Sequence, residues 1–317
     1  MRTRYYPVML VDPAQEKKRH RRVLAVQNVK GGVGKTTVAV NLASLLVERY
    51  SKKVLLIDAD PQCNASLYLL SDEQFLAATD NDSEATKEHG NLWDLFHKDV
   101  KYIDLVTGLR HGPRTSFRRY YRVVTRGTGG GSLSLVCGSA RLSDIQEMGP
   151  ELVVSRIRDW LRSASSGEAE VVIIDCPPST GSLTLSALKA ADDILVPMSP
   201  DAFALHGLPL LLQKLDQYRT PLRIKCRVAG VLFTLYPPPG TSARSAADAY
   251  AKRIEEACRD RRPSVPVLAA RVSRDDAYPR SFEQRKPLPF SSDPTLKPLI
   301  DELDRVAKDM KLVGDAI

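Results

Sequence analysis

The octapeptide KGGVGKTT at 30–37 constrains this chain more than any other stretch. Before it stands VLAVQNV (23–29), short and mostly apolar, which predicts a strand. After it comes TTVAVNLASLLVERY (36–50), whose Val38, Leu42, Leu45 and Leu46 recur at helical spacing. A glycine-rich turn between a strand and a helix is the context a phosphate-binding loop requires. The glycines let backbone N–H groups turn inward on phosphate oxygens, and the helix N-terminus adds its positive end. Lys35 would neutralise the β and γ phosphates of a nucleotide, and Thr36 offers a hydroxyl to Mg²⁺, which prefers oxygen ligands. Lys30, Gly31, Gly32, Val33, Gly34, Lys35, Thr36 and Thr37 are therefore the candidate nucleotide contacts. The standard pattern GxxxxGKS/T is broken at its first position, where Val29 stands, with Lys30 following.

Two further acidic signals fall at strand ends. KKVLLIDAD (52–60) predicts a second buried strand closing on Asp58 and Asp60, and with the first strand and helix it makes a βαβ unit, hence a parallel sheet. Acids at the carboxyl end of a strand beside the loop face the nucleotide crevice. EVVIIDCPP (170–178) places Asp175 between four apolar residues and a turn, the arrangement that sets an acid near Mg²⁺. Thr36, Asp58 and Asp175 are the candidate metal ligands. Further strands are predicted at 132–138, 192–200 and 227–236, and helices near 150–163 and at 208–218, 242–262 and 295–313. The fold class is α/β: a single doubly wound, mostly parallel sheet with helices on both faces. A basic arm occupies 1–22, with five Lys/Arg in 17–22. The α/β domain with the phosphate-loop signature then runs over 23–317, carrying an elaborated insertion at about 72–131. Within it, 72–90 holds six acids and one Lys, and 110–126 six Arg and no acid.

Composition removes several classes. Of 317 residues 43% are hydrophobic and 26% charged, which excludes collagen-like, coiled-coil and wholly disordered chains. The longest apolar runs are strand-length, and no secretory signal is evident, so a soluble cytoplasmic protein is expected. Cys63, Cys137, Cys176, Cys226 and Cys258 are scattered without CxxC spacing, which argues against a disulfide framework or a zinc site. The formal charge of +8 is compatible with nucleic acid or an anionic membrane surface.

Taken together, KGGVGKTT, VLLIDADPQCNAS, VVIIDCPPS and VPMSPDAFALHGLPLLLQKL resemble the ParA/MinD superfamily of deviant-Walker ATPases, nearest to the ParA-type partition proteins. The resemblance covers roughly 22–70 and 132–310. It implies that ATP, with Mg²⁺, closes a sandwich homodimer in which Lys30 reaches across to the partner's phosphates. Lys30, Lys35 and Asp60 are then the catalytic residues. Asp60 positions the attacking water and Asp175 lies near the metal, with slow hydrolysis that a partner accelerates. It further implies non-specific binding to double-stranded DNA, a ParB-like adaptor and association with the nucleoid. Two departures stand out: His206 replaces a Glu common in the family, and 271–288 lacks the family's usual wording.

DNA-phosphate contacts call for Lys and Arg. The candidates are Lys252, Arg253, Arg259, Arg261 and Arg262 on the late helix, with Arg271, Arg274 and Arg280 after it. Arg118, Arg119 and Arg122 form a second group. The alternative is a MinD-like or cargo-positioning ATPase acting on a membrane or protein assembly. A membrane function calls for a C-terminal helix with bulky apolar and basic faces. The ending DELDRVAKDMKLVGDAI mixes in acids and reads as a packed helix, so no membrane partner is expected. An iron–sulfur ATPase would need a matched cysteine pair, and Cys137 lacks the glycine-rich ligand context that would pair it with Cys176.

Overall fold

Strand β1 (Arg22–Val26) is apolar on both faces because it is covered on both. Val23 and Ala25 point into one core, and Leu24 and Val26 into the other. The computed structural model describes residues 21–79, 90–97, 102–103, 110–111, 120–163 and 168–313. Most of the basic arm, together with Arg118 and Arg119, lies outside the described residues.

In chain order β1 is followed by α1 (Lys35–Tyr50), β2 (Lys53–Asp58), α2 (Asn64–Leu69), α3 (Asp72–Thr79) and α4 (Leu92–His97). Two short paired strands come next, β3 (Tyr102–Ile103) and β4 (Arg110–His111), then β5 (Arg122–Arg126) and β6 (Ser132–Val136). Helices α5 (Leu142–Glu147), α6 (Pro150–Val153) and α7 (Arg156–Ser163) lead to β7 (Val171–Asp175), α8 (Ser182–Ala190) and β8 (Asp193–Met198). The chain continues through α9 (Ala202–Arg219), β9 (Arg227–Tyr236), α10 (Ser242–Asp260), β10 (Val267–Ser273), α11 (Ala277–Glu283) and α12 (Lys297–Asp309).

Among the described residues eight strands form one sheet in the order β10-β9-β8-β1-β7-β2-β6-β5. Every pairing is parallel except that of β5 with β6. The expected doubly wound sheet is present. Leu55, Ile57, Val172 and Ile174 share a face with Val23 and meet α5, α7, α8, α9 and α10. Val54, Leu56, Val171 and Ile173 share the opposite face, under α1 and α12. Burying each such side chain contributes roughly 1.5–3 kcal/mol before chain entropy is counted.

Several boundaries differ from the sequence expectation. β1 stops at Val26, three residues early. The helix expected near 150–163 is two, α6 and α7. α9 starts at Ala202, well before the expected 208, and holds Pro209 inside. Proline favours a first helical turn, and the pattern therefore reads as a start there. The Asp201 side chain instead caps the true start by accepting from the Ala204 amide at 2.8 Å. The arginine-rich Arg122–Arg126 forms an antiparallel edge strand, a position that charged residues protect from further pairing. The closing helix spends Leu299, Leu303, Val306 and Ala307 on the core shared with α1. No helix among the described residues is long and apolar enough to cross a membrane.

One polar pin runs through the second core. Asn41 of α1, fully buried, donates from Nδ2 to the Thr37 carbonyl (2.9 Å) and to the Tyr68 hydroxyl (3.1 Å), and accepts from the Leu288 amide (2.9 Å). The Tyr68 hydroxyl also meets the Ser281 hydroxyl. Asn41 therefore ties the helix after the loop to α2 and to the 277–290 segment. Truncating it leaves a buried amide and a hydroxyl short of partners. Asn41→Ala is expected to lower the unfolding free energy by about 2 kcal/mol in urea titration with an unchanged slope.

Candidate functional site

Parallel register brings the acids level with one another. Asp58 of β2 pairs with Asp175 of β7, and Asp175 pairs with Val26 of β1. All three stand at the carboxyl ends of their strands, where open α/β sheets bind ligands. From Val26 the chain enters the loop. Gly32 and Gly34 take φ values of 70° and 80°, in the left-handed region that glycine tolerates. Gly34 is the N-cap of α1; no side chain caps that end and no acid lies in its first turn. The first amides of a helix have no intrahelical partner, and so this end is left to attract an anion.

The lysines of the loop are held differently. Lys35 is buried, and its ammonium donates to the carbonyl of Lys30 at 3.2 Å. Burial lowers its pKa, while the charges of Asp175 and Asp60 push it back up. Lys30 is at the surface, and its ammonium donates to Asp201 Oδ2 at 2.6 Å. The loop is fixed to its surroundings by Asn28, whose Oδ1 accepts from the Lys30 amide (3.1 Å) and whose Nδ2 donates to the Pro197 carbonyl (2.7 Å). On the other side the Thr234 hydroxyl donates to the Val33 carbonyl at 2.8 Å.

The three acids do different things. Asp58 is wholly buried and already engaged: Oδ2 accepts from the Ser66 amide (2.7 Å) and hydroxyl (2.6 Å), and Oδ1 from the Asp60 amide (3.3 Å). Asp60 is buried at the turn beyond, and its Oδ1 accepts from the Gln62 amide at 2.9 Å. Asp175 Oδ2 accepts from the Thr36 hydroxyl at 2.7 Å, while Oδ1 is buried with no hydrogen-bond partner. Burial raises the Asp175 pKa well above the carboxylate range; the charges of Asp58 and Asp60 add to the rise, against the Thr36 bond and Lys35. Three carboxylates thus crowd one ammonium.

That imbalance fits a divalent cation. Thr36 donates its proton to Asp175 and so turns oxygen lone pairs outward, and the partnerless Asp175 Oδ1 supplies a hard oxygen acceptor beside them. Thr36 and Asp175 are the pair suited to Mg²⁺. Asp58, also expected among the ligands, has both oxygens engaged: it ties β2 to α2 and holds the turn that carries Asp60. Sequence reading missed Asn28, Ser66 and Asp201. Asp201 carried a usable signal, an acid just before a helical run, the residue type of an N-cap.

The eight basic candidates divide. Lys252, Arg253, Arg259, Arg262, Arg274 and Arg280 are exposed. Arg261 pairs with Asp216, and Arg271 pairs with Asp248 at 3.2 Å and lies 4.4 Å from the Tyr236 ring. Arg259 and Arg262 sit at the end of α10, before β10, whereas Arg274 and Arg280 follow β10. In chain order the set therefore lies on both sides of β10, the edge strand of the sheet. Arg122 is part-buried on β5.

Comparison with known families matches residues 24–288 to the CobQ/CobB/MinD/ParA nucleotide-binding domain. This chain belongs to that family. Chromosome partitioning protein ParA of Caulobacter vibrioides is 34% identical over 218 residues, covering 68% of this chain and 70% of its own. ParA of Myxococcus xanthus is 33% identical over 216 residues, covering 68% and 65%. Among solved structures, the ATP complex of a Cyanothece McdA variant superposes with a TM-score of 0.69 at 19% identity, covering 94% of this chain and 99% of that one. The sequence relatives are thus ParA proteins, and the McdA structure shares the fold.

The buried Asp58 gives the family member a pH signature. Burial raises its pKa to about 6, although Ser66 works against the rise. The folded chain then holds this proton more tightly than the unfolded one. The group stabilises the fold at acid pH, and that contribution is lost as pH rises from about 4 through about 6. In urea titrations across this window, the stability of the unsubstituted chain should fall relative to Asp58→Asn, on the order of 1 kcal/mol per pH unit. A constant difference would show that Asp58 titrates normally.

Proposed function

We propose that this ParA-family ATPase binds ATP with Mg²⁺ and, as a two-copy assembly, rides double-stranded DNA to segregate or position a DNA locus. The observation that carries the reading is the Thr36–Asp175 pair facing a loop whose Lys35 and Lys30 are both intact, alongside relatives named as chromosome partitioning proteins. The loop amides and Lys35 hold the β and γ phosphates, and Lys35 exchanges the Lys30 carbonyl for phosphate oxygen. Mg²⁺, held by Thr36 and Asp175, would supply neutralisation of phosphate charge. Asp60, fixed by Gln62 and by the Asp58–Ser66 bonds, orients water for in-line attack. Lys30 of a second copy supplies the further cation that stabilises charge on the transferred phosphoryl group, as an arginine finger does.

For DNA, the exposed Lys252, Arg253, Arg259, Arg262, Arg274 and Arg280 are the proposed phosphate contacts. Arg261 and Arg271 shape that surface through their internal ion pairs. A ParB-like adaptor that accelerates hydrolysis and association with the nucleoid complete the reading, which the family resemblance supports. Against the membrane alternative stands α12, whose apolar face is buried in the core.

Duplex DNA binding measured at 50 and 200 mM salt should require ATP, fail with ADP and fail for Lys30→Ala. Six phosphate contacts predict a loss of about 10³ in affinity between the two salt concentrations. Binding that ignores nucleotide, or no binding at all, would reject the DNA reading. Asp60→Ala should retain ATP affinity and lose about 10²-fold or more in turnover.

A further inference from the structure

Both ends of Lys30 are fixed in this chain. Its amide donates to Asn28 and its carbonyl accepts from Lys35, and at the far end its ammonium donates to Asp201. The side chain therefore leaves the loop toward α9 instead of turning back across it. Asp201 is itself rigidly placed. It is the N-cap of α9, and its Oδ1 accepts from the Ala204 amide at 2.8 Å, which leaves Oδ2 for Lys30 at 2.6 Å. Phe203, two residues on, sets its ring centroid 5.3 Å from the ammonium and is 76% exposed.

The geometry points to Asp201 as a positioning residue that aims Lys30 outward, toward the phosphates of a second copy. This rests on the two-copy reading above. An ammonium has three donors, so one bond to Asp201 leaves two for an incoming phosphate, and the ion pair need not break when Lys30 acts. Lysine otherwise spreads over many rotamers, and ordering it at the moment of contact costs free energy that a pre-set direction avoids. Asp201 bonds to Lys30 and not to the nucleotide loop's phosphate cradle, so its removal should be felt where two copies meet and not where one copy binds nucleotide. The Phe203 ring offers a flat face beneath the ammonium and exposed apolar area beside it, both suited to coverage by a second copy.

The experiment compares the full chain with Asp201→Ser, Asp201→Glu and Lys30→Ala. Serine is a good N-cap, so that variant removes the ion pair and keeps the helix start. Three quantities are read: affinity for a fluorescent ADP analogue, self-association with a slowly hydrolysed ATP analogue by sedimentation, and kcat. Asp201→Ser is expected to weaken self-association and kcat about three- to fivefold, the most an ion pair this exposed can carry. Its nucleotide affinity should change less than twofold, and Asp201→Glu should recover much of the loss. Unchanged or improved self-association and kcat in Asp201→Ser would overturn the proposal, as would a matching loss of nucleotide affinity. Those results are read against an unsubstituted chain that self-associates and a Lys30→Ala variant that does not. If the unsubstituted chain fails to self-associate, the two-copy reading falls and this proposal with it.

Discussion

Hydrogen bonding of β1 to a parallel neighbour on each side governs this molecule. β7 and β8 hold the strand in register, and the loop that follows inherits that position. The same pairing that aligns Val26 with Asp175 aligns Asp175 with Asp58, so one row of the sheet delivers the loop, the acid bonded to Thr36 and the acid that braces Asp60. Slip β7 by one residue and Asp175 would turn to the other face. The chemistry at the carboxyl ends is therefore a property of the strand register before it is a property of the loop.

Around that row the protein concentrates unlike demands. Asp58, Asp60, Asp175 and Lys35 are all buried, and one ammonium cannot offset three carboxylates. Hydrogen bonds make up part of the deficit. Ser66 serves Asp58, Gln62 serves Asp60, and Thr36 serves Asp175. The remaining strain is visible as raised proton affinity at Asp58 and Asp175. Such tension is common where a site must receive further positive charge, and here it sits beside a helix N-terminus that asks for negative charge. The two complementary demands lie within one turn of each other.

Much of this was legible in the sequence because its signals are local. A strand, a glycine turn, GKTT and a helix are contiguous, and Asp58, Asp60 and Asp175 end apolar runs that can only be buried strands. The parallel sheet follows from that alternation. What could not be read depends on distant partners. Nothing near Asp58 says that Ser66 will occupy it, since the two meet only when α2 folds back over β2. Asp201 and Lys30 are 171 positions apart and meet because β8 pairs with β1. Pro209 concealed the start of α9 through a rule that is statistically sound and locally overridden. Among the basic candidates, Arg261 and Arg271 look like the rest in sequence, and only the packing of α9, α10 and β9 reveals the acids that engage them.

The bond from the Lys35 ammonium to the Lys30 carbonyl has a kinetic side. It closes the loop on itself, with the glycines already in their left-handed conformations and both flanks stitched to β8 and β9. A nucleotide arriving here does not have to wait for a disordered segment to fold around it. If Lys35 takes the phosphate as proposed, that phosphate replaces a single carbonyl oxygen on the same ammonium. On the proposed reading, capture and release at this loop are an exchange of acceptors on a standing scaffold, with no backbone segment left to fold first.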